Sequence, residues 1–89
     1  MDSDDETLLE FPCDFPIKAM GAYTEEFEGL VVSLVRRHAP DLGEGAVRTQ
    51  ASAKGNYLSV TVTVRATSRD QLDAIYRELT AADEIVMVL

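Results

Sequence analysis

The residues best suited to chemistry in this chain are its one cysteine, Cys13, and its one histidine, His38. Asp14 and Glu10 lie beside Cys13 in the sequence and disfavour the thiolate that a reactive cysteine needs. His38 follows two arginines at the end of a predicted helix, where a cation complements the helix dipole. Local spacing places no carboxylate to orient its ring as a general base. We therefore predict no catalytic residues and a chain that is not an enzyme.

Spacing patterns that hold metals or cofactors are missing from the sequence. No CxxC, HxxxH, HExxH or EF-hand spacing occurs, so we expect no metal site. Gly43 and Gly45 lack the third glycine and the preceding buried strand of a dinucleotide fingerprint. We predict that the chain carries no cofactor.

The charge balance limits the class of partner. The 89 residues include 16 carboxylates and 8 lysines and arginines, a formal net charge of −8. Binding to a nucleic acid backbone relies on a basic surface and is not expected. Acidic residues concentrate at the start of the sequence, and we interpret residues 1–7 as an acidic, flexible N-terminal arm. Residues 8–89 then form a single domain.

Two further features of the sequence bear on the compartment. The first residues contain no lysine or arginine, unlike the start of a signal peptide, and no apolar stretch is long enough to cross a membrane. One cysteine cannot form an internal disulfide. These features favour a reducing cytoplasm and no membrane partner.

Apolar spacing and capping residues predict two helices. The i, i+3, i+4 pattern over residues 27–35 indicates a helix with one apolar side, and Thr24 is its predicted cap. A second helix is predicted to begin at Ser68, with Gln71 at the capping-box spacing. Both helices should cover the same face of a sheet.

Alternation predicts four strands. Strict alternation over residues 57–66 indicates the clearest strand, and residues 46–53 form its hairpin partner across a turn at 54–56. A first strand ends near Gly21, and a last one covers residues 85–89. The order β-α-β-β-α-β with right-handed crossovers predicts an α+β fold. It is a ferredoxin-like βαββαβ two-layer sandwich, with two helices on one face of a four-stranded antiparallel sheet of strand order 4-1-3-2.

The strand phases assign several cations, together with Val86 and Val88 of the last strand, to the face of the sheet that the helices leave open. Such a face is either a solvated polar surface or a docking surface for an anionic partner or ligand. The apolar last strand should be covered as well, by a partner, by a second copy or by the returning residues 8–11, because exposed sheet edges pair with other chains. We predict a partner interface at Lys18, Arg48, Arg65, Val86 and Val88.

Four stretches of the sequence resemble the YbeD-like family of small bacterial proteins: LLEFPCDFPIKAMG, RRHAP, SAKGNYLSVTV and the terminal IVMVL. The resemblance covers Leu8 to Leu89. It implies a fold similar to the ACT-type regulatory domain, a ferredoxin-like module that binds amino acids and other small molecules and controls metabolic enzymes. It also implies an association, by gene neighbourhood, with lipoate attachment enzymes. The resemblance supplies no catalytic residues.

The ACT-like comparison suggests where a small-molecule effector, an amino acid or short acid, would bind. One candidate is the loop from the first strand to the first helix, where glycine permits close backbone approach and the helix N-terminus offers N–H groups. The hairpin turn is the other, although turn chemistry already explains its glycine and asparagine. The predicted ligand-binding residues are Gly21, Ala22, Tyr23, Thr24, Lys54, Gly55, Asn56 and Tyr57.

Overall fold

The computed structural model describes residues 10–89. The predicted arm, residues 1–7, lies outside the described residues. The elements follow the predicted order: β1 (Cys13–Ala22), α1 (Phe27–Arg36), a short 3-10 turn (Glu44–Ala46), β2 (Val47–Ala51), β3 (Tyr57–Ala66), α2 (Arg69–Ala81) and β4 (Ile85–Val88).

The four strands form one antiparallel sheet of order β2-β3-β1-β4. This order confirms the predicted ferredoxin-like sandwich. Its centre is the pair of ten-residue strands β1 and β3, which are in register from Cys13 opposite Ala66 to Ala22 opposite Tyr57. Alternate β3 residues are fully or almost fully buried beneath the helices, as the strict alternation of the sequence requires.

The two helices begin differently. The side chain of Ser68 caps α2 as predicted, because its Oγ accepts a hydrogen bond from the Gln71 N–H at 3.1 Å. The predicted Thr24 cap of α1 is wrong. The chain makes a turn over residues 25 and 26, and the Thr24 carbonyl, not its hydroxyl, accepts from the Phe27 N–H at 3.3 Å. The helix therefore begins only at Phe27, whose ring enters the core.

A bulge in β4 changes which side chains reach the open face. Gly21 lies opposite Ile85 and Met20 opposite Met87, so Val86 is the extra residue of a β-bulge. Val88 lies opposite the buried Ala19 and packs partly buried against the core. Its predicted position on the open face is therefore wrong. The alternation on which that prediction rested fails across a bulge, and Met87 lies opposite Met20 on the open face instead.

Gly21 allows β1, α1 and the start of β4 to approach one another closely. A Cβ built on Gly21 would collide with the carbonyl oxygen of Glu84 and lie 2.8 Å from Cζ of Phe27. The absence of a side chain therefore lets the Phe27 ring, 2% exposed, pack closely against the backbone of β1 at Gly21. Gly29 of α1 offers a contrast, since a Cβ there meets no atom within 4 Å.

We predict that Gly21→Ala lowers the free energy of unfolding by about 2 kcal/mol or more, because backbone and a buried ring must both move. Gly29→Ala, the matched control, should raise it by about 0.5–1 kcal/mol, since alanine favours a helix interior. Urea unfolding followed by far-ultraviolet circular dichroism measures both. Equal stabilities for the two variants would contradict this account of Gly21.

Tyr76 of α2 lies partly buried, and its hydroxyl donates to the carbonyl of Leu89 at 3.4 Å. Burial raises the pKa of this hydroxyl above its ordinary value of 10.0. The folded state therefore holds the proton more tightly than the unfolded state. The resulting stability is fully present below pH 10.0 and is lost as pH rises through the folded pKa.

We predict that the loss of unfolding free energy between about pH 8 and about pH 11 is smaller in Tyr76→Phe than in the wild type. Tyr23→Phe, at an exposed tyrosine, controls for the loss of one phenol. Urea unfolding at both pH values measures the difference. Identical losses in Tyr76→Phe and wild type would contradict the prediction.

Candidate functional site

The face of the sheet away from the helices, called here the open face, carries every charged residue of the four strands. Lys18 and Arg48 both lie opposite Thr61, one on each side, and these three residues form what we call the cation row. Arg65 lies opposite Asp14, and its Nη1 is 3.3 Å from the Asp14 Oδ1. Three cations against one carboxylate give the strands a net charge of +2, although the whole chain carries −8.

An apolar region adjoins the cation row at the β4 side of the sheet. Met20 and Met87 lie opposite each other, and the N–H and C=O of Leu89 exchange hydrogen bonds with Lys18 at 2.8 and 3.1 Å. Val86, Met87 and Leu89 are 68%, 49% and 63% exposed. We call Met20, Val86, Met87 and Leu89 the apolar corner. Large apolar side chains at such exposure, grouped on one sheet edge, mark a surface that other proteins can cover.

The two predicted ligand loops lie together at one end of the sheet. The Tyr23 N–H donates to the Asn56 carbonyl at 3.0 Å, and Ala22 lies opposite Tyr57. Gly55 has a φ of +76°, so the hairpin turn itself requires a glycine there. The exposed Lys54 precedes it in the same turn.

The structure does not support a ligand approaching the backbone at Gly21. Phe27 and Glu84 occupy the space that a glycine would open there. Thr24 does not cap α1, and the acidic Glu25 and Glu26 precede the helix where an anion would have to bind. Ligand binding by the strand-to-helix loop and by the hairpin turn stays a prediction. For the strand-to-helix loop, close approach of a ligand to Gly21 no longer supports that prediction.

A shallow depression of about 180 Å³ lies on the open face between the hairpin turn and the cation row. Tyr57, which is 56% exposed, lines this depression. The other seven predicted ligand-binding residues, all of which the structure describes, do not line it. Across the sheet, Met20 lies opposite Ser59 and Ser59 opposite Gln50. The remaining lining residues are Ala51, Ser52 and Leu58. Alternation in the sequence predicts the outward phases of Met20, Gln50, Ser59 and Tyr57, but not that these residues line one depression.

His38 has a carboxylate partner that local spacing did not reveal. Its Nε2 lies 3.1 Å from Glu78 Oε2, and Arg37 Nη1 donates to Glu78 Oε1 at 3.2 Å. The Gln71 amide donates to the His38 carbonyl at 2.8 Å. These contacts join the end of α1 to α2 across 40 residues of sequence.

A cavity lies beside His38, where the end of α1 meets α2. The cavity beside it, about 250 Å³, is otherwise lined by Ala74, Arg77, Glu78 and Ala81, which include no hydroxyl or thiol. Within residues 10–89, no three His, Cys, Asp or Glu side chains group so that they could hold a metal ion. Over the same residues, neither helix has the length and apolar character needed to cross a membrane. The contacts of His38 are those of a clamp between helices.

Comparison with known protein families shows the family of this chain. A family model described as a protein of unknown function (DUF493) matches residues 6–89. The chain belongs to this family. A UPF0250 protein of Paraburkholderia phytofirmans is 51% identical over 89 residues, covering 100% of both chains. UPF0250 proteins of Ralstonia nicotianae and Neisseria meningitidis are 49% and 48% identical over 94% and 93% of this chain and 87% and 91% of theirs.

The resemblance to YbeD-like proteins is thereby confirmed, since YbeD belongs to the UPF0250 family. A solution structure of protein HP0495 from H. pylori matches with a TM-score of 0.71 and 14% identity, covering 100% of this chain and 94% of that one. The ACT domain from the GTP pyrophosphokinase of Chlorobium tepidum matches with a TM-score of 0.64 and 13% identity, covering 85% and 84%. At such low identities these likenesses show an ACT-like fold and nothing further.

We predict that Glu78→Gln lowers the free energy of unfolding by about 0.5–1 kcal/mol, because the variant loses its ion pair with Arg37 and weakens the contact with His38. The difference from wild type should shrink in high salt, which screens exposed charges. Glu84→Gln, at an exposed acid, is the control. A salt-independent difference, measured by urea unfolding, would contradict an electrostatic clamp.

Proposed function

We propose that this protein is a non-catalytic protein-interaction module that associates with itself or with a metabolic enzyme through its open face and β4. The observation that carries the proposal is the apolar corner. Val86, Met87 and Leu89 are all about half exposed or more. They lie on a strand that, in the described sheet, pairs on one side only, with β1. Covering such a strand removes apolar surface from water and pairs its free backbone groups.

The cation row adds positive charge to the open face beside the apolar corner. Lys18 borders the apolar corner through its hydrogen bonds with Leu89, and Arg48 lies on β2, on the other side of Thr61. A partner that offers an apolar strand flanked by carboxylates would satisfy both regions at once. The family and its relatives carry no catalytic name, and the His38 clamp lacks a nucleophile beside it. Both observations support a role in binding.

A second candidate function is that of a small-molecule sensor of the ACT kind. The supporting observation is that the two predicted ligand loops are joined by a hydrogen bond and lie next to the depression at Tyr57. The ACT domain of a GTP pyrophosphokinase shares the fold. In this proposal, the ligand contacts the open face at the hairpin end and not the backbone of Gly21.

We predict that Val86→Lys abolishes association. Sedimentation velocity over a range of concentrations reports self-association, and chemical crosslinking in cell extract followed by mass spectrometry reports an enzyme partner. The lysine places a charge where a docked strand would exclude water, so association should be lost. Ala81→Lys adds the same charge at an exposed position of α2, away from the open face. This variant should associate like the wild type.

The proposal fails if the wild type stays monomeric at all concentrations and Val86→Lys captures the same proteins as the wild type. Retained amide dispersion in the nuclear magnetic resonance spectrum of Val86→Lys is the check that the variant is folded. A triple variant, Lys18→Glu/Arg48→Glu/Arg65→Glu, tests the predicted cations. Its loss of association, with Val86 intact, would assign part of the binding to charge.

A further inference from the structure

The depression at Tyr57 combines features that apolar docking alone does not require. Its lining joins an exposed aromatic ring, Tyr57, to the thioether side chain of Met20 and the amide of Gln50. An aromatic face and a polarisable sulfur suit a flat ring, and an amide can both donate to and accept from its edge. The Ser59 hydroxyl already donates to the backbone carbonyl of Gln50 at 3.2 Å, and the Ser52 hydroxyl already accepts from the Tyr57 N–H at 3.1 Å. The side-chain amide of Gln50 has no hydrogen bond to another described residue and is therefore available to a ligand.

The cation row lies at a fixed distance from this depression. Ser59 and Thr61 are two residues apart on β3, so the row of Lys18 and Arg48 is about 7 Å from the row of Gln50 and Ser59. A ligand with its ring in the depression would therefore reach Lys18 and Arg48 only with an anionic group held away from the ring by a spacer.

The open face can attract an anion although the chain as a whole is acidic. The strands carry +2, and their single carboxylate, Asp14, is paired with Arg65 two rows beyond Thr61. A local surplus of cations on a flat surface concentrates small anions there. A nucleic acid strand would need several stacking rings. Tyr57 is the one aromatic residue of β2, β3 and β4, so the site suits one ring.

We infer that the depression binds a single planar ring joined through a spacer to a phosphate, the chemistry of a nucleoside monophosphate. The ring lies between Tyr57 and Met20, its edge meets Gln50, and the phosphate pairs with Lys18 and Arg48. This inference rests on the second candidate function and gives it a ligand class. It does not depend on association through the apolar corner.

The test is a titration of the full chain, labelled with nitrogen-15, with adenosine 5′-monophosphate, adenosine and ribose 5-phosphate. The nucleotide should shift the amides of Gln50, Tyr57 and Ser59. Adenosine and ribose 5-phosphate should each bind about tenfold more weakly, because each lacks one of the two contacts. Equal binding of adenosine and nucleotide would overturn the role of the cation row, and no shift at these amides would overturn the site.

A fourth probe, 3-phenylpropionate, carries a planar ring and a carboxylate joined by a two-carbon spacer, which is shorter than the ribose of the nucleotide. Weaker binding than the nucleotide supports the inference, and tighter binding overturns the nucleoside phosphate in favour of an aromatic acid.

Matched variants assign the contacts. Tyr57→Thr keeps a strand-forming residue and should weaken nucleotide binding about tenfold, whereas Tyr57→Phe, which keeps the aromatic ring, should not. Lys18→Gln/Arg48→Gln should weaken it and reduce its salt dependence, whereas Arg69→Gln/Arg77→Gln, with the same charge change on α2, should not. Equal effects of Tyr57→Thr and its control would overturn the contact between the ring and Tyr57. Equal effects of the two double variants would overturn the contact between the phosphate and the cation row.

Sedimentation of the same samples separates the two proposals. Nucleotide shifts in a protein that never associates support this inference and count against the interaction module. Association without nucleotide shifts does the reverse.

Discussion

The pairing of β1 with β3 is the constraint on which the rest of the structure depends. Ten residues of each strand are in register, and side chains alternate between the faces of a sheet. A slip of one residue would turn Ile17 and Ala19 outwards and bring Lys18 and Met20 into the core. The cost of burying an ammonium group therefore fixes the register as firmly as the burial of valines on β3 does. The same register places Lys18 opposite Thr61, and the register of β2 with β3 places Arg48 on the other side of Thr61.

This register separates the charges of an acidic chain. Among residues of the four strands only Asp14 is acidic, while the helices and loops hold most of the described carboxylates. The helix layer can carry them because its outer side faces water, where like charges are screened. The sheet is left with a positive surface beside the partly buried Met20 and the exposed Met87. Such a surface favours anionic or apolar contacts, which is why both proposals concern the open face and neither concerns the helices.

The parts of the fold that local pattern determines could be predicted from the sequence. The alternation of β3 and the Ser68 cap follow from spacings of a few residues, and the structure bears them out. The strand order follows from the sequence of elements and the right-handed crossover rule, and it is confirmed as well. Val88 could not be assigned to the correct face, because a bulge in β4 interrupts the alternation of side chains. Thr24 could not be excluded as the cap of α1, because the sequence does not show the turn of two residues before the helix.

The candidate site was predictable only in part, because it depends on contacts between distant segments. The outward phases of Lys18 and Arg48 could be read from alternation, but not that both would meet Thr61. Gly21 was interpreted as an opening for a ligand, since a sequence does not show that Phe27 and Glu84 fill the space. The partner of His38 lies 40 residues away at Glu78, beyond any helical spacing.

Met20 links the two proposed activities of the open face. It lies opposite Met87 in the apolar corner and opposite Ser59 in the depression, so one side chain belongs to both surfaces. A ring bound against Met20 changes what a docked strand meets at the corner, and a docked strand changes what the ring meets. Binding free energies at two such sites are coupled, and the coupling is reciprocal. In a small domain of this kind, that coupling is the physical form that regulation of a partner by a ligand would take.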